Sequence, residues 1–204
     1  MTLHAVGTYA QDPGPVAVFL HGWGSDEQDL AGLAGYLPRG LAWASVRAPL
    51  RHPSFGYAWY PLESEDSWDR QAPIDAATDA LWTWADAELQ DRPLIAIGFS
   101  QGGLMASQLL RTHPDRLTGT VILSGYVLPS TQRADAVLAE SRPPVFWGRG
   151  DADFVIPPHA IAATEEFLPA HSTLEAHVYT GVGHNVSEQE LGHLRTFVES
   201  VTGP

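Results

Sequence analysis

Three short segments carry residues that could do chemistry together. Gly98-Phe99-Ser100-Gln101-Gly102 is a G-x-S-x-G pentapeptide. It follows the apolar run Leu94-Ile-Ala-Ile97 and opens a segment that sets Leu104, Met105, Leu109 and Leu110 on one broad helical face. In that context the serine is expected on a sharp, strained strand-to-helix turn that lifts its Oγ clear of the sheet. The two glycines are needed there because a Cβ would meet neighbouring backbone. A helix N-terminus behind Ser100 would favour negative charge developing nearby. A hydroxyl nucleophile needs a base to take its proton and a third group to hold that base. Downstream, Gly181-Val-Gly-His184 follows one apolar run and offers His184, and Gly150-Asp-Ala-Asp-Phe-Val-Ile-Pro157 follows another and offers Asp151 and Asp153. Such a set performs acyl transfer if two N–H groups face the oxygen that gains charge. The turn itself supplies the N–H of Gln101. The loop Leu20-His-Gly-Trp-Gly24, whose glycines permit close backbone approach, is expected to supply the N–H of Trp23.

Composition removes most competing chemistries. All eleven basic residues are Arg, with no Lys and no Cys. Schiff-base chemistry, phosphate-loop lysines, thiol nucleophiles, disulfides, Cys-ligated zinc and iron–sulfur clusters are therefore excluded. A metal site is not expected, since His177, His184 and His193 lack helical i, i+4 pairing, and no other cofactor is called for. The formal net charge of −13 opposes nucleic-acid partners and anionic membranes. The first ten residues lack a basic segment followed by an apolar run, and no stretch is long and apolar enough for a membrane span. A cytoplasmic location is the expectation.

The elements that must position these residues are legible as an alternation. Apolar runs at 16–20, 41–46, 93–97, 120–123, 144–147 and 174–179 read as strands, most of them apolar on successive residues as strands covered on both faces should be. Between them, 75–89, 101–111 and 187–200 carry helical spacing, the last opening with the capping-box pattern Ser187-Glu-Gln-Glu190. The length of 204 residues suggests one domain spanning 1–204. The fold class expected is α/β, a mostly parallel sheet of about six or seven strands wrapped by helices on both faces, with ligands bound at the carboxyl ends of the strands. Residues 124–144 are too few for a multi-helix cap, so the site should be open.

Read together, these motifs resemble the phospholipase/carboxylesterase group of the α/β-hydrolases, which includes acyl-protein thioesterases and small bacterial serine esterases. Leu20-His-Gly-Trp-Gly-Ser-Asp-Glu-Gln-Asp-Leu30 is similar to the family's oxyanion loop, Gly98 to Gly103 to its nucleophile elbow, and Asp151 to Pro157 to its acid loop. Ala48-Pro49, Ala58-Trp59-Tyr60 and Gly183-His184 are further matches, and the likeness runs roughly from residue 15 to 200. The resemblance implies Ser100, Asp153 and His184 as a triad, with Asp153 preferred over Asp151, and Trp23 and Gln101 as oxyanion donors. It implies hydrolysis of small esters, with thioesters as the second substrate class. Two departures stand out. Few residues precede the first core strand, so the family's two N-terminal strands reduce to one, expected over Leu3 to Tyr9. An aromatic Trp23 also sits where the family often has an aliphatic residue. His21 is expected to hold the oxyanion loop, and Phe55, Tyr57, Trp59 and Tyr60 either line a substrate groove or pack a long loop. The same three residues also serve lyases and perhydrolases, and the fold also carries non-catalytic receptors, so those readings stay beside the esterase. A homodimer is left open.

Overall fold

A computed structural model describes residues 3–10, 14–62 and 70–203. Seven strands form the main sheet: β1 (Ala5–Gly7), β2 (Val16–Leu20), β3 (Ala42–Val46), β6 (Leu94–Phe99), β7 (Leu117–Leu123), β8 (Pro144–Gly150) and β9 (Thr173–Tyr179). Their order across the sheet is β1-β3-β2-β6-β7-β8-β9, with β1 antiparallel to β3 and every other pair parallel. A two-stranded hairpin of β4 (Leu50–Arg51) and β5 (Tyr57–Ala58) stands apart. The helices are α1 (Gln71–Glu88), α2 (Gln101–Thr112), α3 (Asp135–Ser141), α4 (Pro158–His171) and α5 (Glu188–Thr202).

The apolar runs are explained by burial on both faces. In β2, Val16, Val18 and Leu20 join the core beneath α1 and α2, while Ala17 and Phe19 join the core beneath α5 and a 3₁₀ turn over Leu30–Tyr36. In β6, Leu94 and Ala96 divide in the same way from Ile95 and Ile97. A strand with no solvent face cannot alternate in polarity, and none of these does. The edge strand β9 differs: it is partly exposed along most of its length, and Glu175 and His177 occupy its half-open positions.

Several boundaries depart from the sequence reading. The N-terminal strand is confined to Ala5–Gly7 rather than filling Leu3 to Tyr9. α1 begins at Gln71, ahead of Pro73, because proline in a first helical turn removes only an N–H that has no intrahelical acceptor. Helices α3 and α4 were not read from the sequence at all. The buried residues of α4 are Ala160, Thr164 and Leu168, a narrow stripe at four-residue spacing that does not register as a wide amphipathic face. Between β7 and β8 the sole helix among the described residues is the seven-residue α3, so no multi-helix cap is inserted there.

α5 opens with the expected capping box. Ser187 Oγ accepts the Glu190 N–H at 3.1 Å, and Glu190 Oε2 accepts the Ser187 N–H at 3.4 Å. The second oxygen, Oε1, is buried with no hydrogen-bond partner among the described residues and lies over Gly148, where a Cβ would sit 2.1 Å from it. Burial pushes the Glu190 carboxyl up to about 7 from an ordinary value of 4.5. A raised carboxyl stays protonated in the folded chain while the unfolded chain has already lost its proton. Stability is therefore full below pH 4.5 and declines as pH rises towards 7, by about 3 kcal/mol in total. Glu190→Gln preserves the cap acceptor and removes the ionisation. Its urea-unfolding free energy should exceed that of the parent by roughly 3 kcal/mol at pH 8, with the difference mostly gone at pH 5. Parallel pH dependence in the two proteins would assign the effect to other groups.

Candidate active site

The candidate side chains converge at the carboxyl ends of β2, β6, β8 and β9. Ser100 follows β6 directly and has φ 56° and ψ −118°, a backbone conformation that strains any non-glycine residue. Hydrogen bonds hold the turn in place: Ser100 N–H donates to the Leu123 carbonyl at 2.9 Å, and the N–H groups of Gly103 and Leu104 donate to the Ser100 carbonyl. Both glycines of the pentapeptide are demanded sterically. A Cβ on Gly98 would lie 1.9 Å from the Gly102 carbonyl oxygen, and one on Gly102 would lie 1.9 Å from that of Leu20. The elbow is thus clamped between its own helix and the end of β2.

Ser100 Oγ lies 2.8 Å from His184 Nε2, and His184 Nδ1 lies 2.8 Å from Asp153 Oδ2. One neutral tautomer satisfies both contacts: Nδ1–H donates to the carboxylate and Nε2 accepts from the serine hydroxyl. The carboxylate is itself fixed, since Asp153 Oδ1 accepts the N–H of Val155 at 2.9 Å and of Ile156 at 3.3 Å. Its side chain is almost wholly buried, whereas the His184 ring keeps an exposed edge and rests against Phe99, with ring centres 4.9 Å apart. Asp151, the competing acid, faces elsewhere. Its Oδ1 accepts the Gly181 N–H at 2.7 Å and so ties the acid loop to the histidine loop.

The remaining candidates lie beside Ser100. A Cβ on Gly22 would come within 3.6 Å of the Ser100 Cβ, which places the loop after β2 against Ser100. Among the described residues, neither the Trp23 N–H nor the Gln101 N–H donates a hydrogen bond to another group. His21 holds this loop from inside. Its Nδ1 lies 2.7 Å from the Gly22 carbonyl and its Nε2 accepts the Ala48 N–H at 3.0 Å, while burial lowers its pKa and keeps the ring neutral. The open question about the aromatics divides in two. Trp59 and Tyr60 are buried packing residues, whereas Phe55 is 62% exposed and reaches Trp23 through the intervening His52 ring.

Two features of the site had no clear sequence signal. Glu27 is buried and held by Arg47, whose Nε donates to Oε2 at 2.6 Å and whose Nη2 donates to Oε1. This pairing depresses the carboxyl to about 2. The other is the side chain of Gln101, which bonds to the backbone of Trp59 and Tyr60. Neither pair is adjacent in sequence, so no local pattern announces it. Among the described residues no group of three or more His, Cys, Asp or Glu is placed to hold a metal ion, and no helix is long and apolar enough to cross a membrane.

Comparison with known proteins agrees with this architecture. The phospholipase/carboxylesterase family profile matches residues 2–202. The acyl-protein thioesterase 1 of Kluyveromyces lactis is 27% identical over 223 residues, covering 97% of both chains. A probable carboxylesterase of Oryza sativa subsp. japonica is 26% identical over 173 residues, covering 78% of this chain and 65% of its own length. The crystal structure of esterase PE8 superposes with a TM-score of 0.81 at 25% identity, covering 98% of this chain and 100% of that one. The chain is therefore a member of the phospholipase/carboxylesterase family, built on the α/β-hydrolase fold.

Proposed function

We propose that this protein is a serine hydrolase of carboxylic esters, with thioesters as a second substrate class, and that Ser100, His184 and Asp153 carry the reaction. The observation that supports this most is the unbroken relay from Ser100 Oγ through His184 to Asp153, with 2.8 Å at each step. Ser100 Oγ attacks the ester carbonyl carbon as His184 Nε2 takes its proton. Asp153 holds the ring and stabilises the imidazolium. The carbonyl oxygen, now negative, is met by the N–H groups of Trp23 and Gln101. The tetrahedral intermediate collapses when His184 returns its proton to the leaving alcohol or thiol. Water enters and attacks the acyl carbon as His184 takes its proton, and His184 then returns that proton to the departing Ser100 Oγ, releasing the carboxylic acid and restoring the serine hydroxyl. Every step is a proton transfer or an acyl transfer, so these residues need no cofactor.

Without a cap between β7 and β8, the site receives small water-soluble substrates directly. Turnover of p-nitrophenyl esters from C2 to C12 should follow ordinary saturation kinetics, and Ser100 should be labelled by a fluorophosphonate. A rate that jumps only above the aggregation concentration of the ester would overturn the open-site reading. Absence of both turnover and labelling would overturn the hydrolase reading and favour a ligand-binding role on the same fold.

A further inference from the structure

The two N–H groups assigned to the oxyanion hole belong to segments far apart in the chain. Trp23 sits in the loop after β2 and Gln101 opens α2. The separation of their N–H groups must nevertheless be held within a fraction of an ångström if both are to meet one oxygen.

A single strip, residues 57–60, half-buried at Tyr57 and buried from Ala58 to Tyr60, is bonded to both segments. On the loop side, Gly24 N–H donates to the Tyr57 carbonyl at 2.8 Å, Tyr57 N–H donates to the Ser25 carbonyl at 2.7 Å, and Trp59 Nε1–H donates to the His21 carbonyl at 2.9 Å. These three bonds straddle Trp23. On the helix side, the Gln101 carboxamide makes a two-point clamp. Its Oε1 accepts the Trp59 N–H at 2.8 Å and its Nε2 donates to the Tyr60 carbonyl at 2.8 Å. Gln101 and Trp59 are 3% and 1% exposed, so water does not compete for these bonds.

We infer that the Gln101 side chain and the Trp59 indole act as positioning residues: together they make the 57–60 strip a strut that sets the distance between the Trp23 and Gln101 N–H donors. This inference rests on the proposed role of Ser100. Gln101 thereby has two separate functions, its backbone N–H facing the substrate oxygen and its carboxamide fixing where the partner donor stands. The chemistry of a carboxamide is specific to the task, because one group must accept from an N–H and donate to a C=O. Methionine does neither. Glutamate does both when protonated and loses the donor when ionised.

The test compares Gln101→Met, Gln101→Glu and Trp59→Phe with the parent on p-nitrophenyl acetate, every rate being expressed per active site titrated with fluorophosphonate. Tyr126→Phe is the control, because it removes a buried hydroxyl 3.1 Å from Tyr60 Oη and leaves in place every bond named above between the strip and the two donor segments. Gln101→Met and Trp59→Phe should lower kcat about 10- to 100-fold with KM little changed. They should weaken inhibition by benzeneboronic acid, whose tetrahedral serine adduct places an oxygen in the hole, by a similar factor. The kcat of Gln101→Glu relative to the parent should rise as pH is lowered and the new carboxyl regains its donor. Tyr126→Phe should keep kcat per titrated site. The strut is overturned if Gln101→Met and Trp59→Phe keep kcat per titrated site, if their loss appears only in KM, or if Tyr126→Phe loses as much. Gln101→Glu and Trp59→Phe decide the matter should Gln101→Met fail to fold. Failure of the parent itself to react with fluorophosphonate would instead overturn the underlying assignment of Ser100.

Discussion

Ser100→Ala should reduce ester turnover on the order of 10⁶-fold while leaving the fold intact, by analogy with other serine triads. The size of the loss follows from how the relay works as a unit. With Oγ gone, His184 Nε2 loses the hydroxyl 2.8 Å away, and only the proposed oxyanion donors are left to accelerate attack by water. The fold is expected to tolerate the change because alanine meets the same positive φ of 56° that serine already accepts, and the turn is held by backbone bonds that the substitution does not touch. Hydrolysis of p-nitrophenyl acetate, with far-UV circular dichroism alongside, checks both parts. Turnover within about a hundredfold of the parent would point to another nucleophile.

Asp153→Asn should cost about 10⁴-fold in kcat, and Asp151→Asn only a few-fold. The two acids are separated by a single residue, and their different partners set the contrast. Asp153 Oδ2 takes the His184 Nδ1–H, so an amide there can present an N–H to the ring and favour the tautomer that cannot accept the serine proton. Asp151 accepts one backbone N–H, from Gly181, a bond that asparagine Oδ1 can replace. Steady-state kinetics on both variants, normalised to titrated sites, gives the ranking. Equal losses, or the reverse order, would overturn the assignment of Asp153.

What was legible in the sequence was what short-range physics dictates. The β6 strand, the elbow glycines and the start of α2 lie within a few residues of one another, and the constraint is local: a Cβ at Gly98 or Gly102 would collide with backbone. The apolar runs were equally legible, since strands covered on both faces carry few polar residues, here Ser45 and Thr120 among them. The capping box of α5 is a four-residue pattern and formed where the spacing placed it. Helix α4 escaped because its buried stripe is narrow and its neighbours on the other faces are unremarkable. The N-terminal strand was overextended because its length is set by pairing with β3, not by its own residues.

The tertiary structure alone decided the rest, and the reason is distance along the chain. Spacing offers Asp151 and Asp153 equally and only the family resemblance prefers Asp153; which of them meets His184 depends on a ring 31 residues from Asp153, brought in by the loop after β9. Trp59 and Tyr60 could have lined a groove or packed a core, and burial between the oxyanion loop and α2 settled them as packing residues. Glu27 reads as one of many surface acids until Arg47, 20 residues on, is found against it. The Gln101 clamp spans 41 and 42 residues to its two partners. A sequence specifies local conformation through sterics and polarity, residue by residue. Hydrogen bonds between distant segments acquire their partners only when the sheet has set its strand order.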